Sequence, residues 1–194
     1  MNQILLPVRK NGLMGYFCPF SQQFIIQPTW KQASRFQEGY AVVQSESGFG
    51  LINSTGEIVI PCTFLEMEAV SQGLVSVRTD SGFGILSVEN QIIVPAIYDE
   101  TGFCSEGMIP VLQNDRWGFF HQSGELAIPF QFEDVTVFQE GMAGAQIEDL
   151  WGFIQKDGKY IAEPNWLGVS CFSQGLAGVQ NEEEYWGFIN TDFI

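Results

Sequence analysis

At six places along the chain a Met, Phe or Trp precedes a glycine that is followed directly by two apolar residues: Tyr16-Phe17, Leu51-Ile52, Ile85-Leu86, Phe119-Phe120, Phe153-Ile154 and Phe188-Ile189. Strict alternation would leave one face of a strand wet. Two adjacent apolar side chains point to opposite faces, so this run predicts a strand covered on both sides. The residue before the glycine is Met14, Phe49, Phe83, Trp117, Trp151 or Trp186, and the glycines stand 35, 34, 34, 34 and 35 residues apart. Six copies at one period make an internal repeat. The run, called B here, is expected to be the central strand. Its regularly placed glycine predicts close approach by a neighbouring backbone or ring.

Two further runs keep the same period. Run A follows a Glu/Gln-Gly pair, at Glu38-Gly39, Gln72-Gly73, Glu106-Gly107, Glu140-Gly141 and Gln174-Gly175. Its third place holds Pro7, Val42, Ser76, Pro110, Gly144 and Gly178. Proline has no amide to donate, so run A is expected to be an edge strand, or to turn that amide outward. After run B, Gly56, Asn90, Gly124 and Gly158 share one position, which predicts a hairpin turn with φ > 0. Run C follows, as in Ile58-Val59-Ile60 and Leu126-Ala127-Ile128, and is expected to stop at Pro28, Pro61, Pro95, Pro129 and Pro164. The connection to the next run A is expected to begin at an aromatic: Trp30, Phe64, Tyr98, Phe132 or Trp166. Within it, stretches such as residues 133–138 predict a short fourth strand.

The succession aromatic-Gly-apolar-Ile, polar-x-Gly, x-Ile-Pro, aromatic and Phe-x-Glu-Gly resembles the bacterial WG, or KWG, repeat over residues 5–194. Departures are Met14, Phe49 and Phe83 in place of tryptophan, the absence of the usual preceding lysine, and Phe193 in place of the last turn glycine. The resemblance implies an all-β array that mediates interactions and has no common catalytic activity. The expected architecture is one domain of six antiparallel repeats of three to four strands, packed face to face. Their frames are approximately 5–38, 39–72, 73–106, 107–140, 141–174 and 175–194. An open superhelical array is favoured, because the last copy lacks a connection; a closed six-bladed, propeller-like ring is the alternative.

Charge narrows the partners. The formal net charge is −15, yet residues 1–37 carry Arg9, Lys10, Lys31 and Arg35 and no acid, leaving −19 on the rest. Such a body repels phosphate backbones and anionic lipid, and suits a basic protein. No apolar run approaches the ~20 residues of a membrane helix. The start of the chain has no basic segment followed by a long apolar one, so residence in the cytosol is expected. Cys18, Cys62, Cys104 and Cys171 have neither zinc-site nor disulfide spacing. Cys104 stands where other copies have Phe36, Val70, Phe138 or Phe172, and is expected to be a small core residue.

Chemistry is sparse. His121, the single histidine, occupies the turn slot of Asn53, Ser87, Gln155 and Asn190, which predicts a structural polar role. No nucleophile elbow, phosphate loop, dinucleotide fingerprint or zinc-helix motif occurs. No catalytic, metal or cofactor site is expected. The acids, by contrast, recur in phase. Glu66, Glu100 and Asp134 stand two places after the connection aromatic, and Asp99 and Glu133 one place after it. Equivalent positions stack in a repeat array, so these five are the candidate partner-binding residues of an acidic face. The glutamates at 38, 106 and 140 either extend that face or cap their own turns. The expected function is a non-catalytic protein-interaction module with a basic partner, such as an inhibitor or immunity protein that covers a basic toxin or nuclease. A glycan-binding repeat that uses its aromatic rings is the alternative.

Overall fold

A computed structural model describes residues 4–192. The chain is all-β, without a helix among the described residues. It divides into two compact units, Met1–Ile97 and Tyr98–Ile194. The first contains a three-stranded sheet, β1–β2–β3 (Leu6–Lys10, Leu13–Cys18, Gln23–Trp30), and two of four strands. These are β4–β5–β6–β7 (Gln32–Ala33, Tyr40–Gln44, Phe49–Asn53, Ile58–Phe64) and β8–β9–β10–β11 (Glu66–Met67, Leu74–Thr79, Gly82–Ser87, Ile92–Tyr98). The second unit has β12–β13–β14–β15 (Glu100–Thr101, Met108–Gln113, Arg116–His121, Leu126–Phe132) and β16–β17–β18–β19 (Asp134–Val135, Ala143–Ile147, Leu150–Ile154, Tyr160–Trp166). It ends in the three-stranded β20–β21–β22 (Gly168–Val169, Leu176–Gln180, Trp186–Asn190). Every sheet is an antiparallel meander and none closes into a barrel.

The fourth strand exists, but it is two residues long and opens each four-stranded sheet. Sheet boundaries therefore fall just after Trp30, Phe64, Tyr98, Phe132 and Trp166. A frame that begins at each Glu/Gln-Gly turn takes runs A, B and C from one sheet and the short strand of the next.

Run A is consequently not an edge strand in the four-stranded sheets. It lies between the short strand and run B, and the short strand covers only part of it: Glu100 faces Leu112 and Thr101 faces Val111. Pro110 is tolerated because it lies beyond that ladder.

Run C does not stop at its proline. β15 continues from Pro129 to Phe132, whose aromatic ring ends the strand rather than opening the connection. The proline is accommodated by an irregular register. Trp117 pairs with Phe132 but Phe119 pairs with Ile128, so two steps on β14 oppose four on β15. A bulge of this kind needs no ladder amide from proline. It also throws the run C backbone onto the run B glycine. A Cβ on Gly15, Gly50, Gly84, Gly118 or Gly152 would lie 2.6–2.7 Å from a run C carbonyl oxygen. The expected close approach is thus made by backbone.

The turn glycines behave as the period implies: φ is 90° at Gly56, 63° at Asn90, 91° at Gly124 and 80° at Gly158. The last member of the series, Phe193, lies outside the described residues.

Run B buries both faces. Leu51 and Ile52 are each fully buried, but Leu51 packs with Val42, Ile60, Val75 and Val77, whereas Ile52 packs with Tyr16, Ile26, Ala41 and Val43. Phe153 and Ile154 divide in the same way in the second unit. Within each unit the core is therefore a set of layers between consecutive sheets, as face-to-face repeats require. Cys104, 8% exposed, takes a core place like that of Val70, Phe138 and Phe172.

Candidate functional site

The five candidate acids divide into two kinds. Asp99 and Glu133, directly after the run C aromatic, reach into A–B hairpin turns. The Asp99 carboxylate accepts the Asn114 amide at 2.7 Å. Glu133 accepts the Asp149 amide at 2.9 Å and the Arg116 guanidinium at 3.0 Å. Both turns put two successive residues in the left-handed region, Asn114-Asp115 and Glu148-Asp149. These are hairpins whose central amide points to one side and needs an acceptor. The Asp149 amide first, and Arg116 next, hold the Glu133 carboxyl below its ordinary range. Lys31 stands at the equivalent place in the first unit and pairs with Glu46, in the turn between β5 and β6, at 2.5 Å.

Glu66, Glu100 and Asp134 lie on the short strands β8, β12 and β16, and all three are exposed. Glu66 faces Arg78 across the sheet and pairs with it at 2.5 Å, while Arg78 also lies over the Phe83 ring. Among the described residues, Asp134 accepts the neighbouring Val135 amide. Glu100 has no hydrogen bond or ion pair among the described residues; its cross-strand neighbour is Leu112.

Unit 98–194 carries sixteen acids and three bases, a net −13, against −2 for residues 1–97. All three of those bases are already paired: Arg116 with Glu133, Lys156 with Glu106, and Lys159 with Asp157. Glu100 and Asp134 thus stand at equivalent places in a unit whose three cations are all paired with other acids.

The glutamates of the Glu-Gly turns do something the spacing alone did not reveal. Glu38, Glu106 and Glu140 sit at φ 51°, 52° and 54°, an unusual place for a glutamate. Each carboxylate caps not its own turn but the next one along the chain. Glu38 accepts the Gln72 and Gly73 amides at 2.9 and 2.8 Å; Glu106 accepts that of Gly141 at 3.0 Å, and Glu140 that of Gly175 at 2.9 Å. Burial resists ionisation of Glu106, but Lys156 and the Gly141 amide outweigh it and hold the carboxyl below the usual range. These carboxylates bind repeats together. The signal that could have found them is a long side chain where hairpins ordinarily place asparagine.

His121 makes the turn contact of its counterparts. Its Nδ1 accepts the Ser123 amide at 3.2 Å and lies 2.8 Å from Ser123 Oγ, just as Asn53 Oδ1 accepts the Thr55 amide at 3.0 Å. Among the described residues no three His, Cys, Asp or Glu side chains converge as metal ligands. The tryptophans form no shared platform: Trp117 packs against the Phe119–Phe138 layer, and Trp166 stacks edge-on against Phe153. Trp186 is different, at 61% exposed. One small apolar cavity of about 220 Å³ in the first unit is lined by Ala33, Val42, Phe49, Met67 and neighbours, and holds no charged side chain.

Comparison with known proteins agrees with this architecture. The family model described as WG containing repeat matches residues 21–47, 49–82, 83–117, 117–151 and 151–185. No curated protein matches the chain. Among solved structures, the chain is similar to a eukaryotic initiation factor, at TM-score 0.51 and 14% identity, over 80% of this chain and 49% of that one. It is also similar to Kluyveromyces lactis Hsv2, at TM-score 0.49 and 10% identity, over 97% and 71% of the two chains. A third likeness is to the WD40 β-propeller domain of Doa1, at TM-score 0.37 and 13% identity, over 95% and 74%.

Proposed function

The chain belongs to the WG containing repeat family, and from that premise we propose that it is a non-catalytic protein-interaction module that recognises a basic protein through an acidic face. The observation that carries this is the unbalanced charge of residues 98–194, where each of the three cations is already engaged and Glu100 and Asp134 remain exposed on equivalent strands. Like charges at stacked positions cost stability, so their recurrence favours a use outside folding. Asp99 and Glu133 belong to the turns, and Glu66 to Arg78; the face is therefore narrower than the five acids together. A basic toxin or nuclease covered by an inhibitor or immunity protein is the specific form this takes. A body of this charge disfavours nucleic acid and anionic membrane as partners.

The test uses the chain as bait in an extract of its source cell. Capture of a basic protein that is released by moderate salt, and lost when Glu100→Lys and Asp134→Lys are combined, supports the proposal. Steering by exposed charge acts over a Debye length of ~8 Å at physiological salt, so association should slow as salt rises. Capture indifferent to both salt and the reversals would sink it.

A further inference from the structure

In the second unit, Trp151 closes the corner between run B, the third place of run A and the short strand of the next sheet. A Cβ on Gly144 would lie 2.7 Å from Val169 Cγ2, 3.1 Å from Thr136 Cγ2 and 3.3 Å from the Trp151 ring. Three repeats earlier the same places hold Val42, Met67, Ser34 and Phe49. There the corner is not closed: these four residues line the cavity of about 220 Å³, with Ala33 where the second unit has Val135.

Phenylalanine also stands for tryptophan in β8–β9–β10–β11, but that ring is covered. Arg78 lies 5.3 Å from the centre of the Phe83 ring and is held by Glu66, which faces it across the sheet. At the same two places β4–β5–β6–β7 has Gln44 and Gln32, which also face each other. An ion pair has been replaced by two neutral amides, and glutamine brings no cation to lay on the ring. Phe49 is only partly buried, and among the described residues no cation lies over it.

We infer that this cavity is a binding site for a small, uncharged aromatic molecule of the size of indole. Its ring stacks on Phe49 against the aliphatic groups of Ala33, Val42 and Met67, and its polar edge meets the exposed Gln32 carboxamide at the rim. Size sets the class. An apolar cavity of about 150 Å³ admits benzene, so 220 Å³ has room for a second, fused ring. Drug-sized ligands ask for about 300 Å³ or more. Charge sets it further, because a buried cation needs a carboxylate, and Gln32 stands where the next sheet has Glu66. Ring pairs of this kind favour offset or edge-on contact, which a half-buried Phe49 allows. The site does not rest on the acidic face: its ligand is uncharged, and salt should leave binding unchanged.

Indole is the probe, titrated into the full chain while methyl signals are followed by NMR. The expected result is a saturable ring-current shift at the methyls of Ala33, Val42, Met67 and Ala69, which all line the cavity. Phe49→Trp supplies the ring that Trp151 carries. It should weaken indole binding at least about tenfold without lowering the melting temperature. Ala69→Phe is the second variant. Ala69 is exposed, and Phe103 already fills its place in the next repeat, so the fold should persist while the cavity mouth closes. No saturable shift, or equal binding by the wild type and both variants, would overturn the inference. Tighter binding of tryptamine would make this a cation site, and tighter binding of N-acetyltryptophanamide an anchor for a partner's side chain; either result also overturns it.

Discussion

Gly102 and Pro110 are a matched pair. In three other sheets the residue at the third place of run A donates its amide to a hydroxyl: Val42 to Ser34 at 3.0 Å, Gly144 to Thr136 at 2.8 Å, and Gly178 to Ser170 at 2.8 Å. Pro110 has no amide, and opposite it Gly102 has no hydroxyl. A Cβ on Gly102 would lie 2.6 Å from Pro110 Cγ, while the Gly102 amide still donates to the Pro110 carbonyl at 2.8 Å. Donor and acceptor have been removed together, leaving no buried amide unpaired.

The pair predicts strong non-additivity. Gly102→Ser alone should destabilise through contact with a ring that cannot yield, by about 1–3 kcal/mol. Pro110→Gly alone exposes a buried amide without an acceptor, at a similar cost of about 1–3 kcal/mol. Together they recreate the Ser170–Gly178 arrangement and should recover most of the loss. A double-mutant cycle in urea measures this, and simple additivity would refute the pairing.

Glycines in run B should differ sharply in their tolerance of a methyl group. Gly118→Ala places a Cβ 2.7 Å from the Ile128 carbonyl oxygen and should cost about 2 kcal/mol or more. Gly187→Ala meets nothing and should be close to neutral. Thermal unfolding of the two variants decides it; equal losses would remove the bulge as the reason for the glycine.

The inter-repeat carboxylates predict an unusual order of substitutions at Glu140. Glu140→Ala loses the cap on the Gly175 amide and keeps a left-handed residue, so it should cost about 1–2 kcal/mol. Glu140→Gly loses the same cap but relieves the φ of 54° and should be milder. Glu140→Gln should be the mildest of the three, since Gln72 and Gln174 already fill this place. Faster exchange of the Gly175 amide in the Ala variant is the local readout.

Acid should release the Glu133 turn contact. Its folded-state pKa is depressed, by the Asp149 amide and then by Arg116. A depressed carboxyl contributes stability that is present above the unfolded-state pKa and is lost as pH falls through the folded one. Stability should therefore decline with acid below about pH 4.5 in the wild type, and less steeply in Glu133→Gln. Urea midpoints across pH 3–7 test this. Parallel curves would show that the contact contributes nothing to linkage.

The sequence by itself determined the class of fold, the number of copies and the strand that each run forms. Those are local matters: doubled apolar residues require cover on two faces, and Gly56, Asn90, Gly124 and Gly158 require a left-handed turn whatever surrounds them. It also determined that His121 belongs to a turn and Cys104 to the core, because repeat-equivalent places share an environment. Tertiary structure decided what depends on how far one segment reaches toward another. That Pro129 lies inside a strand follows from a bulge, and a bulge is a relation between β14 and β15. That Asp99 and Glu133 serve hairpins, while Glu100 and Asp134 stay exposed, follows from alternating sides of a chain crossing into a two-residue strand. Adjacent acids look alike in a sequence, and only the neighbouring backbone separates them.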